Sequence, residues 1–164
     1  MEEKILYKAE RHILYIRSIG YVTAALCPTL KNKVYKQIDN DPQLTNIKID
    51  LNPCNYMDST FMGLLIGIHK YFIKRRGKNI EILNPSHACY HLLKGLGIEN
   101  ILPITYDGDP FPGDMKQITK EENSNAEFIL NTHENLMQAS PENRKKFAVL
   151  HEVLKKQIKK NGSE

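Results

Sequence analysis

The chain has 164 residues, 41% of them apolar, which suffices for one domain with its own core and an appendage. Its longest apolar run, residues 61–68, is far shorter than the roughly 20 residues that cross a bilayer, and the charged N-terminus lacks the apolar core of a secretory signal. The net charge of +4 is spread along the chain without an aromatic-studded basic face, which argues against nucleic acid as a partner. We therefore expect a cytoplasmic protein without a membrane segment. Cys27, Cys54 and Cys89 are widely spaced and form no C-x-x-C pair, so we expect reduced thiols.

The first third of the chain alternates strand and helix signals. Residues 4–8 and 12–18 are β-rich runs that predict a hairpin or two neighbouring strands. Apolar side chains then recur at helical spacing over residues 23–38. Residues 46–52 alternate apolar and polar side chains, which is typical of a half-buried strand.

The stretch NYMDSTFMGLL, residues 55–65, places Asp58, Ser59 and Thr60 at the start of an apolar helix. One interpretation is helix capping, because such side chains accept hydrogen bonds from the free amides of a first turn. The other is a modifiable hydroxyl. A nucleophilic serine is disfavoured, since there is no G-x-S-x-G elbow and no histidine or acid that the sequence can place beside it. Gly63 and Gly67 predict a close approach between this helix and the sheet.

The next segment returns to strands. Residues 78–84 predict a strand, Ser86 begins a short helix that ends at Gly95 or Gly97, and residues 101–104 predict a last strand. The order β-β-α-β-α-β-α-β predicts an α/β fold, with a mixed sheet of about four to five strands covered by helices.

The remainder of the chain has a different character. We divide the sequence into a domain over residues 1–106, a Pro- and Gly-rich linker over 107–120, and a C-terminal helical hairpin over 121–164. Ser140 as N-cap and Pro141 at the first helical position separate the two helices. Their apolar stripes need a surface, and the sequence leaves three open: the α/β domain, which we favour, a second copy of the chain, or a partner. The apolar periodicity runs through Ile129, His133, Leu136 and Met137, and then through Phe147, Leu150, Leu154 and Ile158.

Residues 4–106 also carry a family resemblance. The strand IKIDL, the loop entering MDST, the apolar helix, the strand IEIL and the closing LLKGLGIENILPI follow one another in the order and spacing of the STAS domains, which this segment resembles. The best-known soluble members of that family are bacterial anti-sigma factor antagonists. In them the serine directly after the aspartate is phosphorylated by a partner kinase, and the matching residue here is Ser59. The family often continues Ser-Gly-Leu, whereas this chain has Thr60, Phe61 and Met62 before Gly63.

The resemblance implies a function without catalysis in this chain. It implies an anti-sigma factor antagonist that binds an anti-sigma factor/serine kinase while Ser59 is free, releases it when Ser59 is phosphorylated, and is restored by a serine phosphatase. Asp58, Ser59, Thr60 and Phe61 are the residues expected to contact the partner. The partner's ATP would supply the phosphoryl group, so we expect no cofactor and no metal. The alternative is a STAS module docked permanently in a signalling scaffold or transporter complex with Ser59 never modified, and the oligomeric state stays open.

Overall fold

A mixed β-sheet lies at the centre of the molecule in the computed structural model, which describes residues 2–162. Within these residues seven strands pair in one sheet, in the order β6-β5-β3-β2-β1-β7, with β4 paired to β2. β1 runs antiparallel to β2 and β7, and the other pairings are parallel. The strands are β1 (Glu3–Glu10), β2 (Ile13–Val22), β3 (Asn46–Asp50), β4 (Cys54–Met57), β5 (Glu81–Leu83), β6 (Ile104–Thr105) and β7 (Lys116–Gln117).

Six α-helices accompany the sheet in the described part of the chain. They are α1 (Cys27–Asn40), α2 (Ser59–Arg76), α3 (His87–Gly95), α4 (Ala126–Ala139), α5 (Pro141–Lys146) and α6 (Ala148–Gly162), and short 3₁₀ turns at Ala24–Leu26 and Ile98–Asn100 link some of them. This arrangement confirms the predicted α/β class. Cys27, Cys54 and Cys89 are all free and buried.

The sheet has more strands than the four to five that were predicted. The sequence predicts no strand at β4, and the burial pattern of β4, buried, exposed, exposed, buried, does not alternate as a strand signal requires. β7 lies in the predicted linker and has only two residues, which is too short for a periodic signal. The second strand also continues past Gly20, where a positive φ of 76° and a shift in the β2–β4 register mark a bulge.

Helix α2 is buried on every side near its N-terminus. All seven residues from Thr60 to Ile66 are buried, which a helix facing only one layer cannot achieve. The helix begins at the N-cap Asp58 and ends at Gly77, whose φ of 65° makes the left-handed C-cap that glycine adopts without strain. Lys74, Arg75 and Arg76 form its basic last turn, where cations complement the helix dipole.

The second layer over α2 comes from α4. A Cβ added at Gly63 would lie 2.1 Å from the Thr132 carbonyl oxygen, and one at Gly67 would lie 2.8 Å from Asn135 Nδ2. The two glycines therefore permit a close approach between α2 and α4, and the predicted approach to the sheet was wrong.

The C-terminal segment forms three helices where the sequence predicted two. Ser140 is the N-cap of α5 with Pro141 at the first helical position, as predicted, and its Oγ accepts a hydrogen bond from the Asn143 amide at 3.1 Å. Asn143 is 2% exposed, and its Nδ2 donates to the carbonyls of Leu136 and Leu96, both at 2.9 Å. These bonds tie the helical segment to the loop that follows α3. The exact boundaries at 106 and 120 stay predictions.

The chain between the sheet and α4 is also attached to the domain. The Ile118 amide donates to the Ile5 carbonyl at 2.8 Å, which extends the pairing of β7 with β1. The Glu121 amide donates to Thr29 Oγ1 at 2.9 Å, and Ser124 Oγ donates to the Ala24 carbonyl. The last part of the predicted linker is therefore ordered along the surface of the sheet and α1.

Candidate functional site

Asp58 fixes the start of α2 at the carboxyl end of the central strands. Its amide donates to the Val22 carbonyl at 3.0 Å, directly after the paired ends of β2 and β4. Its Oδ1 accepts from the Phe61 amide at 2.9 Å and its Oδ2 accepts from the Ala24 amide at 2.8 Å. Asp58 is thus the N-cap, and Ser59 is the first helical residue. The capping residue of α2 is therefore Asp58 and not Ser59.

The Ser59 hydroxyl has a partner that the sequence did not reveal. Ser59 Oγ lies 2.8 Å from His133 Nε2, and His133 Nδ1 lies 2.8 Å from the Ile129 carbonyl oxygen. A carbonyl can only accept, so Nδ1 carries the hydrogen, and in the neutral ring Nε2 then accepts from the serine hydroxyl. His133 is 1% exposed and its ring packs edge-on against Phe147, with centroids 5.1 Å apart.

The four residues predicted to contact a partner divide into two pairs. Asp58 and Ser59 are partly exposed at the surface. Thr60 and Phe61 are 5% and 0% exposed, so a direct contact of either side chain with a partner does not agree with their positions in the core. Phe61 lies in the first turn of α2, but every residue of this helix from Thr60 to Ile66 is buried.

A cleft of about 300 Å³ opens beside Ser59. It lies between the end of β4, the first turn of α2, helix α3 and the junction of α5 with α6. Its walls are mostly apolar, with the exposed side chains of His91 and Lys146 among its lining residues. The lining residues are Tyr56, Met57, Asp58, Ser59, Met62, His91, Leu92, Gly95, Leu96, Lys146 and Phe147.

An exposed aromatic pair adjoins this cleft. Tyr56 and Tyr21 are 42% and 47% exposed, and their ring centroids lie 5.6 Å apart on neighbouring strands. Aromatic residues are enriched in protein interfaces, because they offer a large apolar area with a polar tip. The surface around Asp58 and Ser59 therefore suits a protein partner.

The contact between Ser59 and His133 contains two members of a hydrolase triad without the third. His133 Nδ1 is bonded to a backbone carbonyl, where a triad would place a carboxylate. Within the described residues there is also no group of three or more His, Cys, Asp or Glu side chains that could hold a metal ion. The N-terminus of α2 favours a negatively charged group beside Ser59.

The STAS domain family model matches residues 4–108. The chain belongs to the STAS domain family. This STAS region is 24% identical, over 98 residues, to the anti-sigma-B factor antagonist of Bacillus subtilis (strain 168), a match that covers 60% of this chain and 86% of that relative. The helices α4 to α6 follow the matched region.

Solved structures share the STAS fold. The anti-sigma factor antagonist SpoIIAA in its unphosphorylated form superposes with a TM-score of 0.56 at 19% identity, covering 63% of this chain and 87% of that one. The Bacillus cell fate determinant SpoIIAA in the phosphorylated form superposes with a TM-score of 0.52 at 19% identity, covering 63% and 90%. In residues 2–162 of this STAS protein, no helix is both long enough and apolar enough to cross a membrane.

Proposed function

We propose that this STAS protein is an anti-sigma factor antagonist that is switched by phosphorylation of Ser59. The observation that carries the proposal is the position of Ser59, partly exposed and directly after the N-cap Asp58, at the carboxyl end of β4 and within the matched region. The kinship with the B. subtilis antagonist supports the binding role, and the phosphorylated form of SpoIIAA supports the modification.

The proposed cycle follows from charge at this position. The anti-sigma factor, acting also as a serine kinase, binds the free form and transfers a phosphoryl group from its own ATP, and a serine phosphatase removes it. A phosphate adds about −1.5 to −2 charges beside Asp58. Like charges at an interface cost several kcal/mol, and each 1.4 kcal/mol changes affinity by about tenfold. The α2 N-terminus favours an exposed anion by about 0.3 to 1 kcal/mol, so the fold tolerates the modification.

The test compares the affinity for the anti-sigma factor of two variants, one with a neutral and one with a charged side chain at position 59. Ser59→Ala should bind at least as tightly as wild type, and Ser59→Asp should bind about tenfold more weakly or worse. Ser140→Asp is the matched control, since it adds the same charge at another helix start, the N-cap of α5. A folded Ser59→Asp variant that binds like wild type would contradict the proposal.

A second candidate function is a permanently docked STAS module in a signalling scaffold or transporter complex. The hydrogen bond between Ser59 and His133 favours it, because it gives the hydroxyl an internal partner. Intact-mass measurement of the protein purified from its own organism discriminates between the two. A phosphoryl group on Ser59 supports the switch, and an unmodified chain under every growth condition supports the scaffold.

A further inference from the structure

One side of Ser59 borders the cleft, and the other side is covered by a segment of the same chain. Helix α4 contributes His133, whose Nε2 lies 2.8 Å from Ser59 Oγ. One turn further along α2, the Thr132 carbonyl lies over Gly63, and Asn135 Nδ2 donates to the Gly63 carbonyl at 3.2 Å. The cover follows residue 108, so it comes from outside the matched STAS region.

We propose that α4 occupies the partner-binding face of α2, so that binding of the partner and modification of Ser59 both require α4 to leave. The proposal rests on Ser59 being the residue at which the protein is switched. A kinase must align its phosphoryl donor with Ser59 Oγ. It must also place its own base within hydrogen-bond reach of the Ser59 hydroxyl. In the covered state the hydroxyl proton points to His133, and the α4 backbone fills the space beside the first turns of α2.

The covered face also indicates the kind of partner that replaces α4. Gly63 and Gly67 lie one helical turn apart and form a shallow groove on α2 that admits another backbone at close range. The residues that meet this groove, Thr132 and Asn135, come from a helix. The occupant that fits is therefore an α-helix with small or polar contact residues, supplied by α4 in the free chain and by the partner protein in the complex.

Helix α4 buries a smaller share of its residues than α2, the helix beneath it. Only Thr132, His133 and Leu136 are buried among the 14 residues of α4, whereas α2 has ten buried residues among 18. Segments with few buried apolar contacts open before the core does. Release of α4 can therefore take place while the sheet and α2 remain folded.

A larger side chain at position 63 tests, without a kinase, whether α4 covers Ser59. The reporter is the full chain carrying Ser59→Cys, reacted with a bulky polyethylene-glycol maleimide. Cys27, Cys54 and Cys89 are each 0% exposed, so the wild-type chain gives the background rate. Adding Gly63→Ala should raise the labelling rate at position 59 by about tenfold or more, because the new methyl group clashes with Thr132 of α4, whose carbonyl oxygen and Cβ would lie 2.1 and 2.9 Å away.

The matched control is Gly113→Ala, in the exposed segment before β7, where an added Cβ meets nothing within 4 Å, and it should leave the labelling rate unchanged. His133→Ala gives a second way to loosen α4 and should also raise the rate. Hydrogen exchange in β2 and β3 verifies that each variant keeps its core. The proposal is overturned if the Ser59→Cys thiol in the otherwise unaltered chain reacts as fast as an Asn131→Cys thiol on the exposed side of α4.

A kinase assay then separates the cover from the switch. With the anti-sigma factor kinase and ATP, Gly63→Ala and His133→Ala should both be phosphorylated at Ser59 faster than wild type, by about tenfold. Slower phosphorylation of His133→Ala would overturn the proposal, because it would make His133 an aid to the reaction. If labelling responds as expected and no chain is phosphorylated, the cover stands and the phosphorylation switch fails.

Discussion

The Asp58 carboxylate accepts one hydrogen bond from the Phe61 amide and a second from the Ala24 amide, at 2.9 and 2.8 Å. The first bond closes the first turn of α2, and the second joins the turn before α1 to it. An asparagine would keep one acceptor oxygen and turn its NH₂ toward the other amide. We therefore expect Asp58→Asn to lower the free energy of unfolding by about 1 to 3 kcal/mol, measured by urea denaturation.

The control for this prediction is Asp109→Asn, an exposed aspartate in the segment before β7, which should change stability by less than about 0.5 kcal/mol. Equal stability of Asp58→Asn and wild type would mean that the carboxylate is free to face a partner, as the sequence alone suggested. Local spacing identified Asp58 as a candidate, but its bond to Ala24 joins residues 34 positions apart and has no sequence signal.

His69 gives the stability of the protein a pH dependence. The side chain is 6% exposed, its Nδ1 has no hydrogen-bond partner among the described residues, and burial lowers the pKa of its imidazole from 6.5. The unfolded chain therefore binds a proton at a higher pH than the folded chain. Stability should fall as the pH drops below 6.5 toward the lowered pKa, and the pH dependence should be smaller in His69→Gln. Urea denaturation above and below that pH measures the difference.

At the scale of elements, Asn143 connects α5 to two neighbouring segments through its side-chain amide. Asn143→Ala leaves the carbonyls of Leu96 and Leu136 without this donor. We expect a loss of about 1 to 3 kcal/mol in the free energy of unfolding, with faster hydrogen exchange in α5 and α6 than in β3. The exposed Asn131 on α4 offers the matched variant Asn131→Ala, and equal losses from both would remove the special role of Asn143.

The sequence predicted those elements whose signal is local. The apolar run of α2, the Ser86 cap of α3 and the Ser140 cap of α5 follow from spacing and capping chemistry. The glycine pair on α2 indicated a close neighbour without identifying it, because a missing side chain leaves room for any backbone. The hydrogen bond from Ser59 to His133 spans 74 residues and depends on how α4 packs, so periodicity showed only that His133 lies on an apolar stripe.

At the scale of the whole molecule, the helices α4 to α6 complete the burial of α2. A chain truncated after Lys120 keeps β7 and Ile118 on the sheet but exposes the α2 face at Gly63. We expect a lower midpoint of thermal unfolding and a solution mass that increases with concentration, since exposed apolar faces associate. Calorimetry and light scattering measure both. A chain ending at Lys160 is the control, and an unchanged midpoint and mass after Lys120 would show that the helices contribute little to the fold.

The pairing of β7 with β1 has a further consequence for any competitor of α4. Because β7 and Ile118 are fixed to the sheet, residues 118–125 tether the N-terminal end of α4 to its docking face, and Glu121 and Ser124 are hydrogen-bonded to the domain within this tether. Short tethers hold a segment at an effective concentration on the order of millimolar or higher. A free helix at cellular concentration therefore has to bind this face of α2 much more tightly than α4 does. The length of the tether sets the partner concentration at which α4 is displaced.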